Sequence, residues 1–511
     1  MAPPVPNEGP IQGSKAAITI LVMAAVLMAM IDISIINVAL SDIRASFGTP
    51  IDEIGWVSTG YMMANIVVIP MTGWFQRRFG FRRYFATSVL LFTTASALCG
   101  LAWNLPSLVL FRVLQGMGGG AIIPTAQSIL FARYPKEQHG MAAGLFGLGA
   151  ITGPLLGPTI GGYLIDLASW HWIFLINVPI GIAVALLASR VIEEPGFVAD
   201  KRPIDGYGIA LLATGMPALQ YVLEEGNRDG WFDSTTICVL AIVAAIALAT
   251  FILHELETPH PVVDLRVFKN RSYAAGTGIN FLTGLALFSS SYLFSLFCGA
   301  VMHYTALDIG RVFLVAGLAQ IVLMPLVGRI APKIDPRLLL FLGVSVVGAS
   351  QWLGSQLTSA AGFGDLVAPQ MVRAIGLAFI FIPVSVASLS DLSAAARGNA
   401  TGLFNLTREL GGSLGTAWMG KLVADGQILH DQQLSAHVVI TDPLVQQRLA
   451  SLGGLGLPRE AVLDAQVKAQ SLVMSFEDGF RIAMMAILVG LVLVMLLKKN
   501  RAGAPMPAGA H

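Results

Sequence analysis

The stretch AVLMAMIDISIINVALSDI, residues 25–43, is almost entirely apolar and yet places one carboxylate, Asp32, near its middle. At the centre of a membrane helix an Asp costs about 2.5–3.5 kcal/mol on a translocon-type scale. Either the segment is not a membrane helix, or the carboxylate serves a purpose that offsets this cost. The rest of the chain decides between these two interpretations.

The composition of the whole chain favours a membrane protein. Of its 511 residues, 55% are hydrophobic and 12% are charged, whereas a soluble globular chain carries roughly 25% charged residues. The formal net charge of +1 provides no strong field for binding nucleic acid. Cys99, Cys238 and Cys298 lie within apolar runs and lack the spacing of a disulfide set or a metal site.

Apolar segments long enough to cross a membrane recur along the chain. A spanning helix needs about 20 mostly apolar residues, and the sequence predicts fourteen such segments. Lys and Arg are concentrated in every second connection, which by the positive-inside rule places both termini in the cytoplasm. The predicted fold is an all-α, multi-pass integral membrane protein. The predicted spans are residues 16–40, 54–72, 84–103, 105–130, 141–167, 172–189, 204–223, 236–253, 273–301, 309–330, 338–357, 366–389, 400–423 and 480–497.

The two halves of the chain repeat one pattern. The connection GWFQRRFGFRRYF, which starts at Gly73, is similar to GRIAPKIDPRLLL, which starts at Gly328. The fourth and twelfth spans each carry an Arg followed closely by Gly, at Arg112 and Arg373. We therefore predict two six-helix bundles with two linker helices between them and a substrate site near the midplane. The predicted domains are residues 1–190, 191–272 and 273–511.

The connection before the last span, residues 424–479, is long and polar and is predicted to lie outside the cell membrane. Its second half follows Pro458 and has apolar residues at three-to-four spacing, which is typical of an amphipathic helix. Two interpretations remain open: a helical lid on the outer membrane surface, and a docking surface for a periplasmic partner. The apolar positions are Val462, Ala465, Ala469, Leu472 and Phe476.

Several of these segments resemble a known family. GWFQRRFGFRR resembles the gating-loop signature of the major facilitator superfamily, although Arg77 replaces its usual Asp and Phe81 replaces an Arg. The family's Asp-to-helix contact is therefore not expected in its usual form. MIDISIINVAL, WHWIFLINVPIG, PVVDLRVFKNRSY and GLFNLTRELGGSLGTA together resemble the fourteen-span drug:proton antiporter family, and within it the EmrB-type multidrug exporters. The gating-loop residues implied are Gly73, Arg77, Arg78, Gly80 and Arg82.

GLGAITGPLLGPTIGGY in the fifth span is similar to the antiporter signature of this family. Glycines at four-residue spacing form a smooth stripe that permits close approach of another helix. Each Pro removes a hydrogen bond and favours a bend. The motif fits tight packing alone, and it also fits the bent seal against leak that the resemblance implies. Its residues are Gly149, Gly153, Pro154, Gly157, Pro158, Gly161 and Gly162.

Asp32 and Arg112 are the first candidates for coupling transport to protons. Asp32 lies about 24 Å along the first span, and an ionisable group at this depth indicates a functional site. The resemblance implies a proton-relay role for Arg112. The alternatives are a hydrated, idle Asp32 and an Arg112 that snorkels to the surface.

Arg408 and Glu409 lie about ten residues into the thirteenth span. Adjacent residues point about 100° apart on a helix, so these two side chains are not expected to pair with each other. Glu409 is predicted either as a second titratable site or as an outward-facing group at an aqueous vestibule. We retain both residues as proton-coupling candidates.

A pocket for lipophilic compounds should be apolar with few polar anchors. Helical phase alone does not show which polar and aromatic residues face a central cavity. The substrate-binding candidates are Asn37, Tyr61, Asn65, Gln115, Gln127, Asn177, Phe281, Tyr292, Gln320, Phe381 and Asn405.

These features predict a transporter and not an enzyme. The sequence has neither a GxxxxGK[ST] nucleotide-binding loop nor an HExxH zinc motif. We predict a proton-driven antiporter that exports lipophilic drugs across the bacterial inner membrane, without a metal or cofactor. The resemblance implies an EmrA-like periplasmic adaptor and an outer-membrane channel as partners. The alternatives are a dedicated exporter of one metabolite, such as a fatty acid or siderophore, and a membrane sensor or scaffold that does not transport.

Overall fold

The computed structural model is almost entirely helical, as the apolar runs predict. It describes residues 11–390, 392–438, 442–443, 445–447 and 459–497. The helices are α1 (Lys15–Phe47), α2 (Trp56–Cys99), α3 (Leu105–Arg133), α4 (His139–Leu167), α5 (Asn177–Val191), α6 (Gly206–Glu225), α7 (Thr235–Glu257), α8 (Arg271–Ala300), α9 (Ala306–Ile330), α10 (Pro336–Gly354), α11 (Phe363–Leu389), α12 (Ala394–His437), α13 (Arg459–Leu488) and α14 (Gly490–Leu496). Short helical turns lie at Ile51–Ile54, Lys136–Gln138, Trp172–Leu175, Trp231–Asp233, Leu265–Lys269 and Ala331–Lys333.

Ten helical segments of the described residues are long and apolar enough to cross a membrane. In addition, α2 combines the second and third predicted spans and is kinked at Gly80, where φ is 79°. A left-handed φ of this kind favours glycine, because a Cβ would be strained there. The all-α multi-pass membrane fold is confirmed, whereas the count of fourteen spans stays a prediction.

The helices pack in two groups. α1 to α5 pack against one another, most extensively in the α2–α3 and α1–α4 pairs. In the second group α8 packs against α12, α10 against α11, and α12 against α13. α6 and α7 pair with each other, and α6 also contacts α2 and α12. The linker pair is therefore in contact with both groups.

The two groups meet through α4–α9 and α2–α12. These contacts are nearest to the end of the molecule at which α1, α4 and α12 begin and α9 ends. We call this end the basic face, because four of the helix ends and bends there carry a cation. The residues that define it are Lys15, Arg77, Arg133 and Arg329.

Glycines make this contact between the groups possible. A methyl group built on Gly140 would lie 2.7 Å from the carbonyl oxygen of Gly328. A methyl group on Gly73 would overlap the backbone of Asn399. The two groups are thus closed against each other at the basic face, where no side chain fits between these backbones.

The long connection before the last span differs from its prediction as a loop over 424–479. α12 continues to His437, and α13 begins at Arg459 and runs without interruption into the last predicted span. The prediction of a separate helical lid on the outer membrane surface is therefore wrong. Only the end of its apolar stripe nearest the last span packs into the protein, where the Phe476 ring lies 5.6 Å from Phe297, whereas Ala465 and Ala469 are exposed. His430 Nε2 lies 2.8 Å from an Asp478 oxygen.

Candidate functional site

Asp32 and Arg112 form an ion pair inside the first group of helices. Arg112 Nη1 lies 2.7 Å from Asp32 Oδ2, and both residues are 1% exposed. α1 supplies the carboxylate and α3 supplies the guanidinium. This burial contradicts a hydrated Asp32 at the helix mouth and an Arg112 that snorkels to the surface.

Two amides complete the coordination of the carboxylate. Gln115 Nε2 and Asn177 Nδ2 each donate to Asp32 Oδ1 at 2.8 Å. Gln115 lies one turn beyond Arg112, so both side chains lie on the same side of α3. Asn177 Nδ2 also donates to Ser96 Oγ at 3.1 Å, which adds α2 to the site. Asp32 is therefore held by residues of two other helices, α3 and α5, and α2 supports Asn177 from behind.

Arg112 is satisfied on its other side as well. Its Nη1 donates to Gln115 Oε1 at 2.8 Å and its Nε donates to the Val57 carbonyl at 3.1 Å. The guanidinium carbon lies 4.3 Å from the centroid of the Tyr61 ring and 5.8 Å from that of Phe174. Such contacts stabilise a cation that water does not reach.

The charge of this site can change by one unit, through protonation of the Asp32 carboxylate. A buried ion pair of this kind is neutral as a unit, and removing either charge leaves the other uncompensated. Protonation of Asp32 would remove the counter-ion of Arg112 and the acceptor of two amides together. These contacts of Asp32 join α1 to α3 and α5, and they depend on the charge of its carboxylate.

The arrangement of Arg408 and Glu409 differs from the prediction that these two side chains would not pair. Arg408 Nη2 lies 3.1 Å from Glu409 Oε1, so the adjacent residues do pair. The helical angle of about 100° between them separates their Cβ atoms, but the long Arg side chain curls back far enough to bridge it. Arg408 is buried and faces the Phe381 ring at 5.3 Å. The Glu409 side chain is 28% exposed.

The substrate-binding candidates fall into different places. Tyr61, Gln115 and Asn177 belong to the Asp32 site. Gln127 and Asn405 instead join the two groups of helices, because Asn405 Nδ2 donates to Gln127 Oε1 at 2.7 Å. The remaining candidates are not brought into the Asp32 site: Asn37, Asn65, Phe281, Tyr292, Gln320 and Phe381.

Two of the remaining candidates carry unsatisfied polar atoms. Asn65 Nδ2 and Gln320 Nε2 are both buried without a hydrogen-bond partner. A buried unsatisfied donor costs about 1–3 kcal/mol. Both amides are therefore available to a ligand, and they remain predictions as substrate contacts. Asn37 and Tyr292 are exposed and Phe281 is half-buried.

Sequence reasoning missed Ser96 and misjudged Asn177. Ser96 Oγ donates to the Phe174 carbonyl at 2.9 Å while it accepts from Asn177. A hydroxyl inside the apolar third span was the available signal. Asn177 was considered only for a pocket, because the direction of its amide depends on how α5 packs against α1.

The glycine stripe of α4 lies directly against α1. A Cβ at Gly153 would overlap Met30, and one at Gly157 would overlap Ser34. Ser34 Oγ donates to the Gly153 carbonyl at 3.2 Å. Gly149 and Gly161 also face α1 side chains, whereas a Cβ at Gly162 would meet nothing within 4 Å. The stripe therefore fixes the helix that carries Asp32, and the seal against leak stays a prediction. Pro154 and Pro158 lie within the uninterrupted helix His139–Leu167.

The predicted gating loop is the kink of α2. Glu194 accepts hydrogen bonds from the backbone N–H groups of Phe81 and Arg82 at 2.8 and 2.9 Å, just beyond Gly80. Arg78 Nη1 donates to the Asp200 carbonyl at 2.6 Å. Arg77 instead lines a cavity of about 690 Å³ at the basic face. Burial lowers the pKa of the Arg77 guanidinium, although Asp200 and Asp264 oppose this effect.

Known proteins resemble this chain over nearly its whole length. It is 34% identical to multidrug export protein EmrB of Haemophilus influenzae, over 96% of this chain and 97% of that protein. It is 33% identical to EmrB of Escherichia coli, over 99% and 100%. It is 32% identical to fatty acid resistance protein FarB of Neisseria gonorrhoeae, over 88% and 89%.

Solved structures share the fold at low sequence identity. The human organic anion transporter MFSD10 superimposes with a TM-score of 0.63 at 12% identity, covering 94% of this chain and all of that one. The proton:xylose symporter XylE gives a TM-score of 0.61 at 13% identity, covering 93% and 96%. The model of the Major Facilitator Superfamily matches residues 22–416. The two groups of helices, the similarity to these relatives and the family match together show that the chain belongs to the major facilitator superfamily.

Proposed function

We propose that this protein exports lipophilic compounds across the bacterial inner membrane in exchange for protons, and that Asp32 carries the proton. The observation that carries the proposal is the buried Asp32–Arg112 pair with Gln115 and Asn177 on the second carboxylate oxygen. A carboxylate buried in a membrane helix and held in this way has a function by default. Relatives named for multidrug export support the choice of substrate class.

The orientation of the chain follows from the positive-inside rule, with the basic face in the cytoplasm. The contacts α4–α9 and α2–α12 then close the cytoplasmic side. In this arrangement Asp32 takes its proton from the outside and releases it to the cytoplasm after the groups rock. No cofactor is needed, because the proton gradient supplies the energy.

The glycine stripe links the proton site to this closure. Neutralising Asp32 removes the charge contact that holds α1 to α3. α1 is packed against α4 through Gly153 and Gly157, and α4 forms half of the contact with α9. A shift of α1 therefore changes the packing of a helix that closes the cytoplasmic side. Glu409 remains a second proton-coupling candidate, with Arg408 Nη2 3.1 Å from its carboxylate.

The extended helices support a docking role for the outer face. α12 has 44 residues and is about 66 Å long at 1.5 Å per residue, whereas a bilayer with its headgroups is about 40–45 Å thick. Because α12 starts at the basic face, its excess length projects on the opposite side beside the start of α13. We infer that this projection contacts an EmrA-like adaptor, which in turn meets an outer-membrane channel.

A narrower transporter is the second candidate. The relative FarB is named for fatty acid resistance, and it is about as similar to this chain as the EmrB proteins are. An exporter dedicated to one lipophilic metabolite would use the same proton site. Competition among chemically diverse compounds distinguishes the two, since a dedicated exporter would show competition only from its own substrate class.

The test is substrate-dependent proton flux into proteoliposomes, with ethidium and rhodamine 6G as substrates that do not themselves carry protons. Asp32→Asn should abolish flux, while Asp42→Asn, an exposed carboxylate on the same helix, should leave it intact. Equal flux in the wild type and Asp32→Asn would contradict the proposal. Ligand binding without flux in the wild type would favour a sensor or scaffold.

A further inference from the structure

Arg373 is a buried cation without a carboxylate. It is 7% exposed and lies in the second group of helices, on α11. Its Nη1 donates to Ser291 Oγ at 2.8 Å, and its guanidinium carbon lies 5.6 Å from the Phe313 ring. Among the described residues no Asp or Glu forms an ion pair with it. Its charge is therefore not neutralised by the part of the chain that the structure describes.

The depth of Arg373 excludes a simple surface role. It lies ten positions beyond Phe363, about 15 Å along α11. Its low exposure means that the guanidinium does not reach the membrane surface. Arg stays protonated in proteins, and an unpaired buried charge is strongly unfavourable. The fold thus maintains a positive charge inside a transporter that an anion would stabilise.

Arg112 and Arg373 lie at corresponding places in the two repeats but have different partners. Both arginines lie on the fourth helix of their repeat, and both reach across to the first helix of it. There Arg112 meets Asp32 at 2.7 Å, whereas Arg373 meets the hydroxyl of Ser291. Ser291 Oγ donates its own hydrogen to the Leu287 carbonyl at 2.9 Å, so it can only accept from Arg373. A serine thus occupies the place of the carboxylate.

The surroundings of Arg373 fit a ligand with an apolar body. The Phe294 and Phe313 rings pack edge to face at 5.4 Å, and Phe313 faces the guanidinium. An aromatic ring beside one fixed cation favours an amphipathic anion over a strongly hydrated inorganic ion. A planar guanidinium also matches a carboxylate, with which it forms two parallel hydrogen bonds.

We propose that Arg373 and Ser291 form a subsite for the carboxylate of a lipophilic organic anion. The subsite rests on the proposed export function, because the anion is bound as a substrate. Compounds of this class then occupy the second group of helices while the proton site lies in the first. Neutral compounds of the same shape bind without this contact and more weakly.

The test measures binding and does not depend on transport. Purified protein in lipid nanodiscs is titrated with 2-naphthoate and with 2-naphthamide, a neutral probe of nearly the same shape, by isothermal titration calorimetry. Arg373→Gln should weaken naphthoate binding by about tenfold or more, the effect of losing a hydrogen bond to a charged group, and change naphthamide binding by less than about twofold. Absence of naphthoate binding in the wild type, or equal effects on both probes, would overturn the proposal.

A second variant distinguishes loss of the subsite from misfolding of the protein. Ser291→Asp supplies Arg373 with an internal carboxylate, as Asp32 does for Arg112. It should abolish naphthoate binding and raise the melting temperature. Ser290→Asp is the matched control: Ser290 is 2% exposed and points about 100° away, so its carboxylate would be unpaired and lower the melting temperature. Retained naphthoate binding in Ser291→Asp, or a lowered melting temperature, would overturn the subsite.

The binding test is separate from the proton test. Asp32→Asn should abolish proton flux and retain naphthoate binding, because the two sites lie in different groups of helices. Loss of flux in Asp32→Asn with unchanged naphthoate binding in Arg373→Gln would reject the subsite and keep the export function. The reverse pattern would keep an anion site in a protein that is not a proton-coupled exporter.

Discussion

The two groups of helices treat a buried arginine in opposite ways. In the first group Arg112 is neutralised by Asp32, and two amides and two aromatic rings complete the site. In the second group Arg373 has one hydroxyl and one ring. One repeat therefore encloses a counter-charge for its arginine, and the other provides only a hydroxyl and a ring among the described residues. The proposed separation of a proton site from an anion subsite rests on this difference.

The largest effect should come from removing the enclosed cation. Arg112→Gln leaves Asp32 as a buried charge without its counter-ion, and breaking a buried pair costs about 3–5 kcal/mol. We expect the free energy of unfolding to fall by this amount unless Asp32 takes up a proton. Thermal melting of the detergent-solubilised variant measures the loss at neutral pH. Unchanged melting would show that the pair does not stabilise the fold.

Removal of the Asn177 amide should have the next largest effect on stability. Its bond goes to a charged acceptor, so Asn177→Ala should cost about 1.5–3 kcal/mol. Asn280→Ala in the second group is the comparison, since Asn280 Nδ2 donates to the neutral carbonyl of Phe404 and should cost about 0.5–1.5 kcal/mol. The free energies of unfolding of both variants test the order. A larger loss for Asn280→Ala would contradict a special role of the charged acceptor.

Packing beneath the proton site should have a similar or smaller effect. Gly157→Val places a side chain into Ser34, and overpacking of this kind costs about 1–3 kcal/mol. Gly162→Val is the matched control on the same helix, because nothing lies within 4 Å of its added Cβ. Melting temperature and ethidium export are measured together. Equal tolerance of both variants would show that the stripe does not position α1.

The smallest effect on stability should come from the open cation. Arg373→Gln removes a buried charge that has no counter-ion, so the free energy of unfolding should fall by no more than about 1 kcal/mol, the contribution of its hydrogen bond to Ser291. A rise in stability is consistent with this account as well, since the unpaired charge is itself unfavourable. Thermal melting in the absence of ligand measures it. A loss comparable with that of Arg112→Gln would erase the difference between the two repeats.

The sequence was sufficient to single out the two residues of the buried Asp32–Arg112 pair, whose role in proton coupling stays a prediction. A single Asp inside an apolar run, and an Arg followed by glycines in another, are visible without any structure. The helical fold follows from the same apolar runs. These predictions succeed because lipid allows few alternatives for a backbone and makes every buried charge conspicuous.

Other features depend on tertiary contacts and could not be read from the chain. The pairing of Arg408 with Glu409 depends on a side-chain path that helical angles do not fix. α12 and α13 extend beyond their predicted spans, and His430 and Asp478 meet between these extensions. The amide of Asn177 turns towards Asp32 only because α5 packs beside α1. In the last two cases the deciding contact joins positions far apart in sequence.

The most direct test of the account is proton release from purified protein when a substrate binds. Ethidium is added at saturation to the protein in weakly buffered detergent solution, and the pH is followed with an indicator dye. The account predicts that wild type and Asp42→Asn release protons and that Asp32→Asn releases none. Release from Asp32→Asn equal to that of the wild type would contradict it, and would move the proton to another group.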